Sequence, residues 1–294
     1  MKPLELARLS LEGLSVGDAF GQCFFALDDA EAAIASRRLP DAPWYYTDDT
    51  EMTLSVIASL ARYGRIEQDT LAADFASRYS YERAYGPSMH RTLARIREGE
   101  DWRNVANAAF GGQGSWGNGA AMRAAPIGAF FAHDLDVVRE EARRSAVVTH
   151  AHDEAVAGAI AVALGAALWA RCGVDGRCPK GDEFLGEVAS RVPESEVRSR
   201  LQRAISIGSS ATPGFAVSAL GNGTDMSAPD TVPFALWCCA HAGDSYPGAM
   251  WLAVSAGGDR DTLCAIVGGI VALRVGVAGI PSSWIACRES LPVV

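Results

Sequence analysis

The sequence predicts an all-α fold built as one domain. Three observations carry this. Most segments place apolar residues at the helical period. No run of alternating β-branched residues is bounded by hairpin turns. The 294-residue chain also has an ordinary globular make-up, with 49% hydrophobic, 21% charged and 8% aromatic residues. This length allows one large domain or two small ones. Neither an internal repeat nor a long linker divides it, so residues 1–294 read as a single domain.

Leu4, Leu6, Leu9, Leu11 and Leu14 mark the apolar face of a first helix, and Met52, Leu54, Val56, Ile57, Leu60 and Ala61 that of a second. The same period predicts helices over 67–79, 88–97, 121–131, 136–148, 153–171, 182–191, 195–208, 231–242, 246–255 and 261–277. Residues 172–182 and 208–230 read as loops, and the prolines of Pro229-Asp230-Thr231-Val232-Pro233 suggest a loop bordering a cleft.

Charge and cysteine usage narrow the function. Lys and Arg number 26 against 35 Asp and Glu, a net charge of −9. No basic patch can follow a phosphate backbone, so non-specific nucleic-acid binding is not expected. A small anionic ligand stays open, because backbone N–H groups and a metal hold it without net positive charge. Glu5, Arg8 and Glu12 interrupt the N-terminal apolar run, so no secretory signal is predicted. The uncharged stretch Ala155–Ala170 falls short of the roughly 18 apolar residues of a membrane span and reads as a buried helix. Seven cysteines contain no CxxC pair, so neither a zinc cluster nor a disulfide framework is predicted. A reducing cytoplasm fits this usage.

Two acidic clusters stand far apart in sequence. One is Tyr46-Thr47-Asp48-Asp49-Thr50-Glu51, the other Gly257-Gly258-Asp259-Arg260-Asp261-Thr262, and each sits where a loop enters a helix. Adjacent carboxylates repel, so a fold that gathers several normally supplies a cation. Each cluster offers two Asp and one Thr, the oxygen ligands of a hard ion. Together they suit two Mg²⁺ ions, with Mn²⁺ the alternative, and the absence of His argues against zinc. Either cluster alone also reads as helix capping, and Asp48-x-x-Glu51 matches a capping box.

Residues 110–123 hold five Gly among 14 residues. Such a loop lets backbone N–H groups approach phosphate oxygens, with Ser115 and Asn118 as hydrogen-bonding side chains and Phe110 and Trp116 as stacking surfaces for a base. It equally reads as a connector whose aromatics are core. His150 and His152 read as core or cap residues, Tyr85-Gly86-Pro87 as a turn, and Gly17 and Gly21 as a helix contact or a loop wall.

These blocks, taken in order, resemble the ADP-ribosylglycohydrolases, whose bacterial founder reactivates ADP-ribosylated dinitrogenase reductase. They are Gly17-Asp18-Ala19-Phe20-Gly21, Tyr46 to Thr50, Tyr85-Gly86, Gly114 to Arg123, Thr149-His150 and Gly257 to Thr262, and they span about residues 13 to 275. The resemblance implies a compact helical fold with a dinuclear Mg²⁺ or Mn²⁺ cleft. It implies metal ligands at Thr47, Asp48, Asp49, Asp259, Asp261 and Thr262. It also implies a diphosphate loop at Gly114, Ser115, Trp116, Gly117 and Asn118 with Gly119 also substrate-binding, adenine-facing Phe110 and Trp116, and Gly86 and His150 near the distal ribose and phosphate. The implied reaction cleaves the bond between C1″ of ADP-ribose and an acceptor on a protein or a small molecule, with Asp48 or Asp49 as general base. No membrane partner is expected, and a monomer suffices.

One departure bears on the acceptor. The family's serine-directed branch carries a Glu four residues after the GDxxG block, where this chain has Phe25. The expectation is therefore either that Asp28, Asp29 or Glu31 substitutes, or that the acceptor is of the arginine or small-molecule type, or that catalysis is lost and an ADP-ribose-binding module remains. An isoprenoid-synthase reading fails because a DDxxD motif would need Asp where Met52 stands. A helical scaffold without a ligand leaves the paired acidic clusters unexplained.

Overall fold

The computed structural model describes residues 1–172, 176–208 and 210–293, and among these the chain is helical with no strand. Its helices in chain order are α1 (Pro3–Cys23), α2 (Ala30–Ala35), α3 (Asp48–Tyr63), α4 (Gln68–Arg78), α5 (Pro87–Arg97), α6 (Trp102–Gly112), α7 (Ala125–Phe130) and α8 (Leu135–Val147). They continue as α9 (Asp153–Ala170), α10 (Gly181–Ala189), α11 (Glu196–Ile207), α12 (Pro213–Leu220), α13 (Ala228–Ala242), α14 (Tyr246–Val254), α15 (Arg260–Val275) and α16 (Ser282–Cys287). One hydrophobic core runs through them.

The centre of this core is the pairing of α1 with α15. A Cβ on Gly13, Gly17 or Gly21 would lie 2.4, 2.2 or 2.4 Å from the carbonyl oxygen of Gly268, Cys264 or Arg260. These separations are below any van der Waals contact, so only glycine permits the two backbones to touch along four-residue spacing. Gly17 and Gly21 are thus a helix contact. α9 packs beside this pair. It is long and apolar enough to cross a membrane, yet 83% of it is buried inside the protein, as expected of a core helix.

A cluster of five aromatics ties the segment before α3, α14 and α16 to α1. Phe20 packs on Phe24, Trp44, Trp251 and Trp284 with ring centroids 4.7–5.6 Å apart. Trp44 N donates to Cys287 O (2.7 Å) and Glu289 N returns to Trp44 O (2.9 Å). Arg83 bridges Tyr46 O and Glu289. This clamp sets the entry of the chain into α3.

Several local expectations change. Residues 121–131 form no single helix: a 3₁₀ turn spans Asn118–Ala120 and α7 begins only at Ala125, because Pro126 is tolerated in a first turn and not within a helix. The 208–230 loop contains α12, capped by Thr212 and started by Pro213. Pro229 to Pro233 is no loop; it forms the first turns of α13. Pro233 cannot donate to Pro229 O, and Arg200 Nη1 does so instead at 3.1 Å. α2, α6 and α16 escaped the periodicity argument, the first and last at six residues each. The predicted absence of disulfides is also corrected: Cys172 and Cys178 are bonded, their Cα atoms 4.7 Å apart. A six-residue separation carries none of the patterned spacings that signal a bridge. The compartment argument from unbridged cysteines loses that support. Part of the loop predicted over 172–182, residues 173–175, lies outside the described residues.

Candidate active site

Three helices converge on one buried acidic centre. Asp18 projects from the C-terminal part of α1, Asp48 and Asp49 open α3, and Asp259 and Asp261 open α15. One carboxylate oxygen each of Asp18, Asp49 and Asp261 lies within 4.8 Å of the other two, and all three residues are buried. The glycine stripe makes this possible, since Gly17 and Gly21 hold Asp18 against the start of α15.

The three carboxylates are not equivalent. Asp18 accepts from Thr47 N (3.0 Å), Thr47 Oγ1 (2.8 Å), Thr50 N (3.1 Å) and Thr50 Oγ1 (2.5 Å). Four donors occupy its lone pairs, and its charge sits at the N-terminus of α3. Asp18 therefore anchors α3 and orients Thr47. In contrast, Asp49 Oδ1 and Asp261 Oδ1 are buried with no hydrogen-bond partner among the described residues. Such atoms are rare in folded proteins because each forfeits its hydration. A hard cation is the partner that two unpaired carboxylate oxygens fit.

Electrostatics agree. Burial, then the charges of Asp18 and Asp259, hold Asp48 well above the ordinary carboxylate range. Burial with Asp18 and Asp261 does the same to Asp49, and burial with Asp259 and Asp18 to Asp261. Burial pushes Asp18 up to about 6 against the pull of its hydrogen bonds. Crowded without positive charge, these carboxyls are pushed toward their protonated forms.

Capping does not account for these acids. The N-cap of α3 is Thr47, which accepts from Asp49 N at 3.4 Å. The Asp48–Glu51 capping box does not form; Glu51 accepts instead from Ser80 N (3.0 Å) and Tyr85 Oη (2.7 Å). Asp259 makes no side-chain cap bond, and its Oδ2 accepts from Asn118 Nδ2 at 2.6 Å. Thr262 Oγ1 lies 3.4 Å from Asp49 Oδ2.

Above the acids opens a cleft of about 380 Å³, within the range of small-molecule sites. It brings together Asp48, Gly86, Phe110, Ser115, Trp116, Gly117, Asn118, Gly119, His150, Asp259, Asp261 and Thr262, nearly the whole predicted site. Thr47, Asp49 and Gly114 are buried and do not line it. Gly114 has φ +78°, and a Cβ there would meet His152 N at 2.8 Å, so the loop turns here only with glycine. The loop is then pinned by Asn118 N to Met226 O (3.1 Å) and Ala228 N to Trp116 O (3.0 Å).

Phe110 and Trp116 are not core: they are 58% and 54% exposed on the cleft wall. Phe110 sits at φ +52° where α6 kinks, a conformation that costs a non-glycine residue about 1 kcal/mol or more. His152 caps α9, its Nδ1 accepting from Glu154 N at 3.1 Å, while His150 lines the cleft. Asp28, Asp29 and Glu31 do not line it; Asp29 pairs with Arg38 and Glu31 with Arg260.

Two positions at the site were assigned no role from the sequence, although Asp18 stands in one of the blocks quoted there. Asp18 lies inside a helix and is recruited by packing. Arg91 lines the cleft from α5, with no hydrogen bond or ion pair among the described residues.

A helical protein whose cleft joins a carboxylate centre, a glycine loop and two exposed aromatics has the make-up of an enzyme with a small-molecule site. The comparisons give the family. The ADP-ribosylglycohydrolase family profile matches residues 2–291, so the chain belongs to the ADP-ribosylglycohydrolase family. It is 28% identical over 330 residues to the ADP-ribosylhydrolase ARH3 of Homo sapiens, covering 96% of this chain and 89% of that one. An uncharacterized protein of Archaeoglobus fulgidus is 31% identical over 295 residues, covering 96% and 90%. A solved ADP-ribosylglycohydrolase-related protein complex superposes with a TM-score of 0.70 at 26% identity, covering 98% of this chain and 94% of that chain. The chain is accordingly a hydrolase acting on ADP-ribosylated substrates.

Proposed function

We propose that this hydrolase uses divalent cations, two Mg²⁺ or Mn²⁺, to cleave the bond between C1″ of ADP-ribose and an arginine-type or small-molecule acceptor. The carrying observation is the pair of buried, partnerless oxygens, Asp49 Oδ1 and Asp261 Oδ1, directly beneath the cleft. Asp48, Asp49, Asp259, Asp261 and Thr262 are the residues that would hold the ions. Thr47 is committed to Asp18 and Asp49 and orients the set. When bound, such ions fix ribose hydroxyls and lower the pKa of a water.

The remaining steps belong to the chain. Water adds across the C1″–acceptor bond; its hydroxyl goes to C1″ and its proton, by way of a carboxylate, to the released acceptor. Asp48 is the better general base, because it lines the cleft while Asp49 is buried and does not. Backbone N–H groups of the 114–119 loop hold the diphosphate. Phe110 and Trp116 take the adenine. The acceptor preference rests on Phe25: it is 52% exposed, and none of Asp28, Asp29 and Glu31 lines the cleft in place of the missing Glu.

Phe25 also motivates the second reading, an ADP-ribose-binding module without turnover. Titration calorimetry of ADP-ribose with and without Mg²⁺, followed by hydrolysis assays on ADP-ribosylated arginine, separates the two. Metal-dependent binding with release of ADP-ribose is expected. Binding without turnover would establish the module, and no binding in either state would refute both.

A further inference from the structure

Arg123 is fully buried, an uncommon place for a guanidinium. It donates from Nη1 to Gly119 O (3.0 Å) and from Nη2 to Ser145 O and Thr149 Oγ1 (2.9 Å each), and it lies 4.5 Å over the Phe75 ring. Thr149 Oγ1 is in turn 2.7 Å from His150 Nδ1. Thr149 is buried, and Arg123 and His150 are its hydroxyl's hydrogen-bond neighbours among the described residues.

The protons can be followed. A guanidinium only donates, so the Thr149 hydroxyl accepts from Arg123. Its own proton then has one acceptor in reach, His150 Nδ1. A buried hydroxyl left without an acceptor would cost about 1–3 kcal/mol, which disfavours the reverse arrangement. A neutral imidazole that accepts at Nδ1 carries its hydrogen on Nε2. Burial and the Arg123 charge hold His150 down to about 3, so the ring is neutral. His150 Nε2 has no protein partner among the described residues, lines the cleft, and faces the glycine loop closely: a Cβ on Gly119 would lie 3.0 Å from it.

We infer that Arg123 and Thr149 are positioning residues that lock His150 in its Nε2–H tautomer, so that it donates a hydrogen bond to an oxygen of the bound ligand. Arg123 also grips Gly119 O, so one buried cation sets both the loop and the histidine that faces it. The identity of that oxygen, on the diphosphate or the adjoining ribose, rests on the proposed function; the tautomer does not.

The test is ¹⁵N NMR of the intact protein with labelled histidine, in the metal-free and Mg²⁺ states. The chain has five His, and His150→Gln assigns the signal. Wild type should show a pyrrole-type Nε2 and a pyridine-type Nδ1. Thr149→Val should lose this pattern and raise the Kd for ADP-ribose roughly five- to tenfold. Thr149→Ser, which keeps the hydroxyl, should retain both. A protonated Nδ1 in wild type overturns the inference, and so does a Thr149→Val variant with wild-type tautomer and affinity. The expected tautomer in a protein that fails to bind ADP-ribose would uphold the relay and sink the proposed substrate.

Discussion

Gly17→Ala tests the packing that assembles the active site. The new Cβ would stand 2.2 Å from Cys264 O and 2.8 Å from its carbonyl carbon. Ordinary contact begins near 3.4 Å, so α1 and α15 must part by about 1 Å. They cannot tilt to escape, because Gly13 and Gly21 make equal approaches on either side. Two effects oppose each other. Alanine gains about 1 kcal/mol over glycine in a helix interior. Overpacking costs about 1–3 kcal/mol, and backbone against backbone places this site at the upper end. The net loss is about 1–2 kcal/mol, a Tm lower by roughly 2–3 °C for a chain of this length. Function should suffer more, since Asp18 adjoins Gly17 and Asp261 lies one turn before Cys264. A displacement of about 1 Å at reacting groups costs on the order of 100-fold. The control is Gly186→Ala in α10, where a Cβ meets nothing within 4 Å; it should gain up to about 1 kcal/mol. The assay is thermal unfolding paired with turnover in saturating Mg²⁺. A Gly17→Ala protein as stable as Gly186→Ala and fully active would refute the reasoning.

Other expectations concern charge and ligand. Asp261→Asn removes one of the crowded carboxylates, so at pH 7 the metal-free protein should unfold at a higher temperature than wild type while losing its response to Mg²⁺ in thermal scans. The pH dependence has a definite sign. Asp48, Asp49 and Asp261 are held well above their ordinary value and Asp18 at about 6, so the native state keeps protons that the unfolded chain has released. Metal-free stability should therefore fall as pH rises from about 4 through the raised values, and Mg²⁺ should restore it, as unfolding scans across this range with EDTA or Mg²⁺ will show. Trp116→Ala should weaken ADP-ribose binding by about 1–3 kcal/mol in calorimetry, with little change in Tm because the ring is half exposed. Arg91→Ala should weaken the same binding and flatten its salt dependence; an unchanged salt response would place Arg91 outside the ligand's reach.

Much of this protein is local, and that part was legible. The long helices α1, α3, α9 and α15 follow from apolar spacing within one or two turns. The two acidic clusters and the glycine loop each lie within a few consecutive residues, so their chemistry could be read before their meeting place was known. The short helices α2 and α16 could not be read this way, because six residues hold too little periodic signal. Pro233 misled for a related reason: its missing hydrogen bond is compensated by Arg200, a partner 33 residues away in sequence.

By itself, then, the sequence determined the helical class, the donor types gathered at α3 and α15, and the loop able to face a phosphate, since each depends on neighbours along the chain. Only the tertiary structure decided that Asp18 joins Asp49 and Asp261, that Thr47 serves Asp18, and that Arg123 reaches His150 through Thr149. The physical reason is range. A hydrogen bond acts over about 3 Å, and the residues that share these bonds are brought that close by backbones touching along Gly13, Gly17 and Gly21 and by a buried guanidinium that must find its acceptors wherever the fold supplies them.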